Sequence, residues 1–145
     1  MRTLFGRSLL VSVLLLSAVS PATAGYCGRH AVLSTTLDDG TEIGVFLPEE
    51  QMTRAPRWTP GQGGPPLGIA ELVDVATAWA LHTYTRYDDV RISSIGLNSR
   101  SCGALRESWY YVVHFTPIID GNRLFGGGNF AAVLMDGTVV APRKK

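Results

Sequence analysis

Histidines, cysteines and paired acids are the residues of this sequence whose types could do chemistry. The residues in question are His30, His82 and His114, Cys27 and Cys102, and the pairs Asp38-Asp39, Glu49-Glu50 and Asp88-Asp89. Zinc sites need spacings such as H-x-x-x-H or C-x-x-C, and neither pattern occurs. The acid pairs stand in predicted turns or at the ends of predicted elements, so a glycosidase-like pair is not expected. We expect neither a bound metal ion nor a cofactor.

Two sequence patterns that often mark enzymes are also missing. The run Gly126-Gly127-Gly128 lacks the G-x-x-x-x-G-K-[ST] pattern of a phosphate loop and precedes a predicted strand instead of a helix. We interpret it as a flexible segment that leads into that strand. A G-x-S-x-G nucleophile elbow does not occur. The sequence therefore gives little support to an enzyme.

The first 24 residues have the three-part organisation of a secretory signal peptide. Its parts are a positive start at Arg2 and Arg7, an apolar run at residues 9–18 and an A-x-A pattern at residues 22–24. A membrane anchor would need a longer run, of roughly 20 residues. A lipoprotein would need a small residue where Tyr26 precedes Cys27. We expect cleavage after Ala24, a periplasmic or secreted product, and no membrane contact afterwards.

Cleavage would leave a single domain, residues 25–145, with almost balanced charge. The sequence has 13 basic and 12 acidic residues and a net charge of +1. Residues 1–24 contain two arginines and no acid, so 11 basic and 12 acidic residues remain and the net charge becomes −1. A chain so close to neutral lacks the basic footprint of a nucleic-acid-binding protein. The basic tail Arg143-Lys144-Lys145 is interpreted as a solvated end.

The two cysteines, Cys27 and Cys102, are predicted to form a disulfide, because an even count in an exported chain favours one. Closing a loop of roughly 75 residues would stabilise the fold by roughly 4 kcal/mol. It would also hold the new N-terminus against the domain. The competing interpretation is a catalytic thiol, with His114 as the base for Cys102.

The first half of the domain is predicted to contain a hairpin, a long loop and one helix. Two β-rich runs, near residues 30–37 and 41–47, flank Asp38-Asp39-Gly40, where both central residues of a tight turn can take positive φ. Residues 48–68 are rich in proline and glycine and lack periodicity, which predicts a loop. Residues 69–87 carry apolar side chains at helical spacing without a proline, which predicts a helix.

Three strands are predicted after the helix, near residues 90–99, 108–119 and 129–135. The first alternates irregularly, and a bulge near Ser93-Ser94 would account for its change of face. The second, with the stretch SWYYVVHFTP, is apolar on both faces. This order predicts an α+β domain in which an antiparallel sheet, a hairpin plus a three-stranded meander, is packed by one main helix. Because the helix covers one face, the other must meet the hairpin, the long loop or another molecule.

Several short motifs occur in an order that resembles a family of small, uncharacterised exported bacterial proteins. They are Trp58-x-Pro60, Pro65-Pro66-Leu67, an alanine-rich helix, Trp109-Tyr110-Tyr111 with Phe115, and VLMDGTV at residues 133–139. The helix followed by a meander is also similar to cystatin-like and PepSY-type α+β units and to NTF2-fold immunity proteins. These resemblances imply a protein that binds or inhibits another protein, and they carry over no catalytic residue.

We expect an exported, non-enzymatic binding module, such as a protein inhibitor or an immunity-like protein. Its contact surface is predicted to combine residues of the long loop and of the aromatic strand, namely Arg54, Arg57, Trp58, Tyr110 and His114. Two alternatives are a structural homodimer of the cell envelope, formed through the open sheet face, and a small enzyme that depends on cysteine and histidine. The partner is thus another protein or a second copy of the chain. For Trp58 alone, the alternative is an anchor that holds the loop on the core.

Overall fold

The computed structural model describes residues 26–102 and 105–145, and the side chains of residues 28–101 and 107–145. The predicted signal peptide, residues 1–24, lies outside the described residues. After a single 3₁₀ turn at Tyr26–Arg29, the elements in chain order are β1 Leu33–Thr36, β2 Glu42–Val45, α1 Glu49–Arg54, α2 Ile69–Thr83, β3 Asp89–Cys102, β4 Leu105–Ile119, β5 Asn122–Arg123, β6 Phe130–Leu134, β7 Val139–Val140 and β8 Arg143–Lys144.

Two antiparallel sheets and one main helix make up the fold, so the predicted α+β class is confirmed. The larger sheet has the order β3-β4-β6-β7, with β5 paired to β4. The predicted meander is the β3-β4-β6 part of this sheet. The smaller sheet has the order β1-β2-β8, so the predicted hairpin forms a layer of its own with the basic tail as its third strand.

The bulge predicted in β3 is present, because the pairing of β3 with β4 shifts register between Ile92 and Ser94. One extra residue, Ser93, is accommodated there, and the side chains beyond it change face. As a result Ile95 lies opposite Val113, on the same side of the sheet as Ile92. The irregular alternation of the sequence therefore produces one apolar face on β3.

The first core lies between α2 and one face of the larger sheet. Its fully buried members are Leu67, Leu72, Ala76, Ala80, Val90, Tyr111, Val113, Phe115, Ala131, Val133 and Met135. The helix ends at Thr83, four residues earlier than predicted, because Tyr84 leaves the helical conformation at φ −98° and ψ 47°. There the Tyr84 ring packs edge-on against Trp79, with the ring centroids 5.7 Å apart, and turns the chain toward β3.

The second core lies on the opposite face of the larger sheet, beneath the smaller sheet and α1. Its buried members are Val45, Leu47, Met52, Ala55, Tyr110, Val112, Phe130, Ala132 and Leu134. Alternate residues of β4 thus enter different cores, which accounts for a strand without a polar side. Of the three coverings considered for this face, the chain supplies the hairpin and the start of the 48–68 segment.

The 48–68 segment is less irregular than its composition predicts, because it begins with the six residues of α1. Two acids in the first turn, Glu49 and Glu50, and Arg54 in the last turn complement the helix dipole. The helix places Met52, which is 4% exposed, in the second core. The far end of the segment is tied down where the Tyr111 hydroxyl donates to the Leu67 carbonyl at 2.9 Å.

Two turns of the structure share the pattern L-x-D-G-T and the same hydrogen bonds, at residues 37–41 and 134–138. In the first, the Leu37 N–H donates to the Thr41 carbonyl at 2.9 Å and the Thr41 N–H donates to the Asp39 carboxylate at 2.8 Å. The corresponding distances in the second are both 2.9 Å. Only the glycine of each turn has positive φ, 81° and 83°. The hairpin therefore has a three-residue loop with a glycine bulge, and not the predicted two positive φ angles.

Candidate functional site

The five residues proposed for binding do not form one surface. Arg54 and Arg57 are exposed, Trp58 and His114 are half-buried, and Tyr110 is only 5% exposed. Trp58 packs against the core on the helix side of the larger sheet, whereas Tyr110 belongs to the core on the hairpin side. The sheet thus separates the loop tryptophan from the strand residues with which it was expected to act.

Tyr110 lies among the apolar side chains of the second core, so its ring is not offered to a partner. Burial raises the pKa of its hydroxyl, and the nearby Arg100 guanidinium opposes that rise. The open face assumed for Tyr110 is closed by the hairpin and α1. This closure also removes the surface through which a homodimer was expected to form.

Trp58 holds the 48–68 segment against the sheet, as the anchor interpretation describes. Its ring meets the Trp109 ring edge-on, with centroids 5.6 Å apart and an angle of 78° between the planes. Its Nε1–H donates to the Gly63 carbonyl at 3.2 Å, which closes a turn within the segment. Arg57 is exposed, as are most residues on either side of Trp58.

One cleft of the described chain contains His114. It has a volume of about 410 Å³ and lies between β1, the end of β4 and residues 124–128, which we call the LFGGG loop. The polar lining includes His114, Thr116 and Ser93 of the larger sheet, Ser34 and Thr35 of β1, and Asn129. The ring of Phe130 lies 6.0 Å from the His114 ring and forms part of the apolar floor. We call this space the His114 cleft.

The LFGGG loop forms one wall of the His114 cleft and was not singled out as a site from the sequence. Phe125 is 86% exposed, the most exposed of the large apolar side chains described. The glycines lead into β6, as predicted, and two of them bring the loop close to β1. A Cβ on Gly127 would lie 2.8 Å from the Thr35 hydroxyl oxygen, and one on Gly128 would lie 2.8 Å from Leu37 Cδ2. An aromatic residue beside three glycines was the signal in the sequence.

A second cavity, of about 500 Å³, lies on the other side of the LFGGG loop. Its walls include Tyr84, Arg86 and Tyr87, which follow α2, and the acidic turn at Asp38 and Asp39. Burial, with a smaller contribution from the neighbouring Tyr87, raises the pKa of Tyr84 to about 12. Phe125 therefore projects from the ridge between two concave surfaces.

The free edge of β1 borders both of these cavities and a third. In the smaller sheet β1 pairs only with β2, so its other side carries no strand. The third cavity, of about 420 Å³, lies between this edge and β3 and includes Leu33, Gly96, Asn98 and His114. His114 is thus shared by two of the three cavities along the strand.

Cys102 and His114 cannot form the nucleophile–base pair of the enzyme alternative. In the β3–β4 register, Cys102 lies opposite Leu105, whereas His114 lies opposite Ser94. Eight residues separate Ser94 from Cys102, and at about 3.3 Å per residue the backbones of Cys102 and His114 lie roughly 25 Å apart. A proton-transfer pair needs hydrogen-bond contact.

The predicted disulfide concerns side chains outside those that the structure describes, so it stays a prediction. One neighbouring contact supports it. The Arg100 guanidinium donates to the His30 carbonyl at 3.2 Å, which joins the segment just after Cys27 to the strand just before Cys102.

Neither a cluster of metal-binding side chains nor a membrane-spanning helix occurs among the described residues. Three or more His, Cys, Asp or Glu side chains never cluster closely enough to hold a metal ion in the part of the chain described. Within the same residues, each helix is too short or too polar to cross a bilayer. In comparisons with known proteins, the chain matched no family model, no curated protein and no solved structure.

Proposed function

We propose that this protein is an exported binding protein that captures an extended segment of another polypeptide along the free edge of β1. The observation that carries the proposal is that the His114 cleft and its two neighbouring cavities all border that edge. The bound segment would add a fourth strand to the smaller sheet. Inhibitors and immunity proteins act by holding another protein, and the resemblance to such proteins in the sequence supports this function.

The main chain of β1 supplies the first argument. Leu37 bonds to Thr41 across the hairpin, so by the alternation of antiparallel pairs Leu33 and Thr35 also direct their main-chain groups toward β2. Ser34 and Thr36 then direct their N–H and C=O groups away from β2, toward the free edge. Unpaired groups of this kind bind an extended peptide by strand addition.

The side chains around the edge supply the second argument. Four residues of β1 span about 13 Å, enough to pair with three or four residues of a partner. Alternate side chains of an added strand would point into the His114 cleft, over Phe130 and beside His114. A cleft with an apolar floor and a few polar groups is typical of a site that selects one side chain.

Phe125 supplies the third argument, because a large aromatic side chain that is 86% exposed is poorly placed in an isolated protein. Covering it with a bound segment would contribute roughly 1.5–3 kcal/mol to the free energy of binding. Aromatic anchors of this kind dominate many interfaces. The close approach of Gly127 and Gly128 to β1 fixes the loop that carries Phe125 beside the edge.

The proposal is tested with two substitutions of Ser34 at the edge of β1, only one of which removes the main-chain N–H. The outward N–H of Ser34 is lost in Ser34→Pro, and proline is tolerated at an edge position whose N–H faces solvent. Ser34→Ala removes the hydroxyl and keeps the N–H. We would select extended peptides on the immobilised wild-type protein from a random seven-residue library and measure their affinity for each variant.

We expect Ser34→Pro and Phe125→Ser to lose most of the affinity and Ser34→Ala to keep it, with all three variants unfolding at the wild-type midpoint. Peptides that bind Ser34→Pro as tightly as wild type would exclude strand addition, and so would a library that yields no binder. Light scattering on the wild type completes the test. A dimer that Ser34→Pro abolishes would show that the captured strand belongs to a second copy of the chain.

A further inference from the structure

A separate cavity on the outer face of the smaller sheet is surrounded by cations. It has a volume of about 570 Å³, and its lining includes Arg29, Arg143, Lys144 and Lys145 together with the ring of Phe46. The arginine from the N-terminal 3₁₀ turn and the basic residues of the C-terminal strand come from opposite ends of the described chain. The fold therefore gathers positive charge that the sequence leaves dispersed. We call this space the basic cavity.

The cations of the basic cavity are held in place by the sheet. Arg143 lies opposite Gly44 of β2, and its guanidinium carbon sits 4.6 Å from the centre of the Phe46 ring. The Lys145 N–H donates to the Glu42 carbonyl at 3.1 Å, which extends the pairing of β8 with β2. The tail that was interpreted as a solvated end is thus an ordered strand. Cations fixed in this way lose less conformational freedom when they bind a ligand.

Gly44 makes the basic cavity possible, because it lets the segment with Arg29 cross the outer face of the sheet. A Cβ on Gly44 would lie 2.8 Å from the Ala31 Cβ and 3.1 Å from the Leu33 carbonyl oxygen. A larger residue would push this segment away from the sheet. Without the close approach, Arg29 would not share a wall with Arg143.

Acidic neighbours compensate only part of this charge. Lys145 pairs with the Glu42 carboxylate at 3.2 Å. The pKa of Asp39 is lowered chiefly by the hydrogen bond from the Thr41 N–H, and to a smaller degree by the charge of Lys144. The lining of the basic cavity itself includes no Asp or Glu side chain. Arg29 and Arg143 line the cavity, and a bound anion would neutralise their positive charge.

We propose that the basic cavity binds phosphate groups, and that its ligand carries at least two of them or presents them on a surface. Arg29 and Arg143, with Lys145 beside them, carry more charge than a single carboxylate can neutralise, whereas Lys144 lies on the opposite face of the sheet with Ile43. The planar guanidinium of each arginine matches the oxygens of a phosphate, and lysine binds phosphate as a point charge. Ser34 of β1 lines part of the basic cavity, but the cations that would bind phosphate take no part in the proposed peptide capture.

Two probes test the proposal and separate the sources of phosphate. Tripolyphosphate, added to the purified protein in a calorimeter at about 50 mM salt, represents a soluble ligand, because low salt preserves interactions between exposed charges. Vesicles of phosphatidylglycerol, compared with vesicles of phosphatidylcholine, represent a lipid headgroup. Binding to either phosphate probe supports the proposal and identifies the source. A wild-type protein that binds neither overturns it.

Matched double variants then locate the site. Loss of two cavity charges in Arg29→Gln with Arg143→Gln should weaken binding roughly 30-fold, at roughly fivefold for each cation near an anionic surface. The control, Arg91→Gln with Arg123→Gln, removes the same charge from exposed positions elsewhere on the larger sheet. It should weaken binding less than about twofold, since exposed charges at a distance are screened. Equal weakening by both pairs would show binding through net charge alone and overturn the proposal, provided that all variants unfold at similar temperatures.

Discussion

The first and third glycines of the LFGGG loop, Gly126 and Gly128, should respond in opposite directions when each is replaced by alanine. Gly128 has φ of 100°, and its Cβ would lie 2.8 Å from Leu37 Cδ2 and 3.2 Å from Ile43 Cδ1. Positive φ costs a residue with a side chain roughly 1–2 kcal/mol, and moving two packed methyl groups costs roughly 1–3 kcal/mol. Because the Leu37 side chain can rotate, we expect Gly128→Ala to lower the free energy of unfolding by roughly 2–4 kcal/mol.

Gly126 provides the matched control, because its φ is not positive and no atom lies within 4 Å of the Cβ that alanine would add. Gly126→Ala restricts the unfolded chain without strain and should raise stability by roughly 0.4–1 kcal/mol. Thermal and denaturant unfolding, followed by circular dichroism, measure both effects. At about 4 °C per kcal/mol for a domain of this size, the two variants should differ in Tm by roughly 10 °C or more. If their stabilities agree within about 0.5 kcal/mol, the loop does not pack on β1 as described.

Three further outcomes can be measured on the same purified protein. Tyr111→Phe leaves the buried Leu67 carbonyl unpaired and should lower the free energy of unfolding, measured in denaturant, by about 1–2 kcal/mol. The control, Tyr87→Phe, loses only a bond from the exposed Arg86 and should lower it by less than about 0.5 kcal/mol. Burial raises the pKa of Tyr84 to about 12, so the folded state holds this proton more tightly than the unfolded state. The resulting stability is complete below about pH 10 and is lost as the pH rises from 10 toward 12, and Tyr84→Phe should flatten this decline in urea midpoints. Thiol titration of the denatured, unreduced protein should find no free thiol, and reduction should lower stability by roughly 4 kcal/mol; two free thiols would rule out the Cys27–Cys102 bridge.

Local patterns in the sequence predicted the elements of this fold well. The irregular spacing of Ile92 and Ile95 identified a bulge, and the Asp-Gly pairs identified both turns of the L-x-D-G-T type. These features depend on neighbours in the chain, so periodicity and turn chemistry are sufficient to find them. The same holds for α2 except at its end, where the packing of Tyr84 on Trp79 overrides helical spacing.

Features that depend on distant residues were beyond prediction. The second apolar face of β4 was recognised, but the sequence does not show that the hairpin forms a sheet of its own that covers this face together with α1. The composition of residues 48–68 concealed α1. Its single buried side chain, Met52, packs in the second core with residues of β4, and nothing near it in the sequence indicates this contact. For the same reason Tyr110 was mistaken for a surface residue.

The LFGGG loop and the basic cavity were missed for a different reason. Exposure and enclosure belong to the assembled surface, and neither residue type nor spacing encodes them. Three glycines are compatible with flexibility and with close packing, and only the position of Thr35 and Leu37 distinguishes the two. Arg29 and Arg143 stand at opposite ends of the described chain, so no window of sequence contains both.

The position of β8 has a consequence for the order in which the molecule assembles. Strands β3 and β4 are joined by a hairpin, whereas β2 and β8 are separated by about 100 residues along the chain. Contacts between distant segments form slowly, because the intervening chain must first lose entropy. We therefore expect a partly folded species in which α2 already covers its face of the sheet while Val112 and Phe130 are still bare. Such a species aggregates through its exposed apolar side chains, so the yield of refolding should fall as the protein concentration rises.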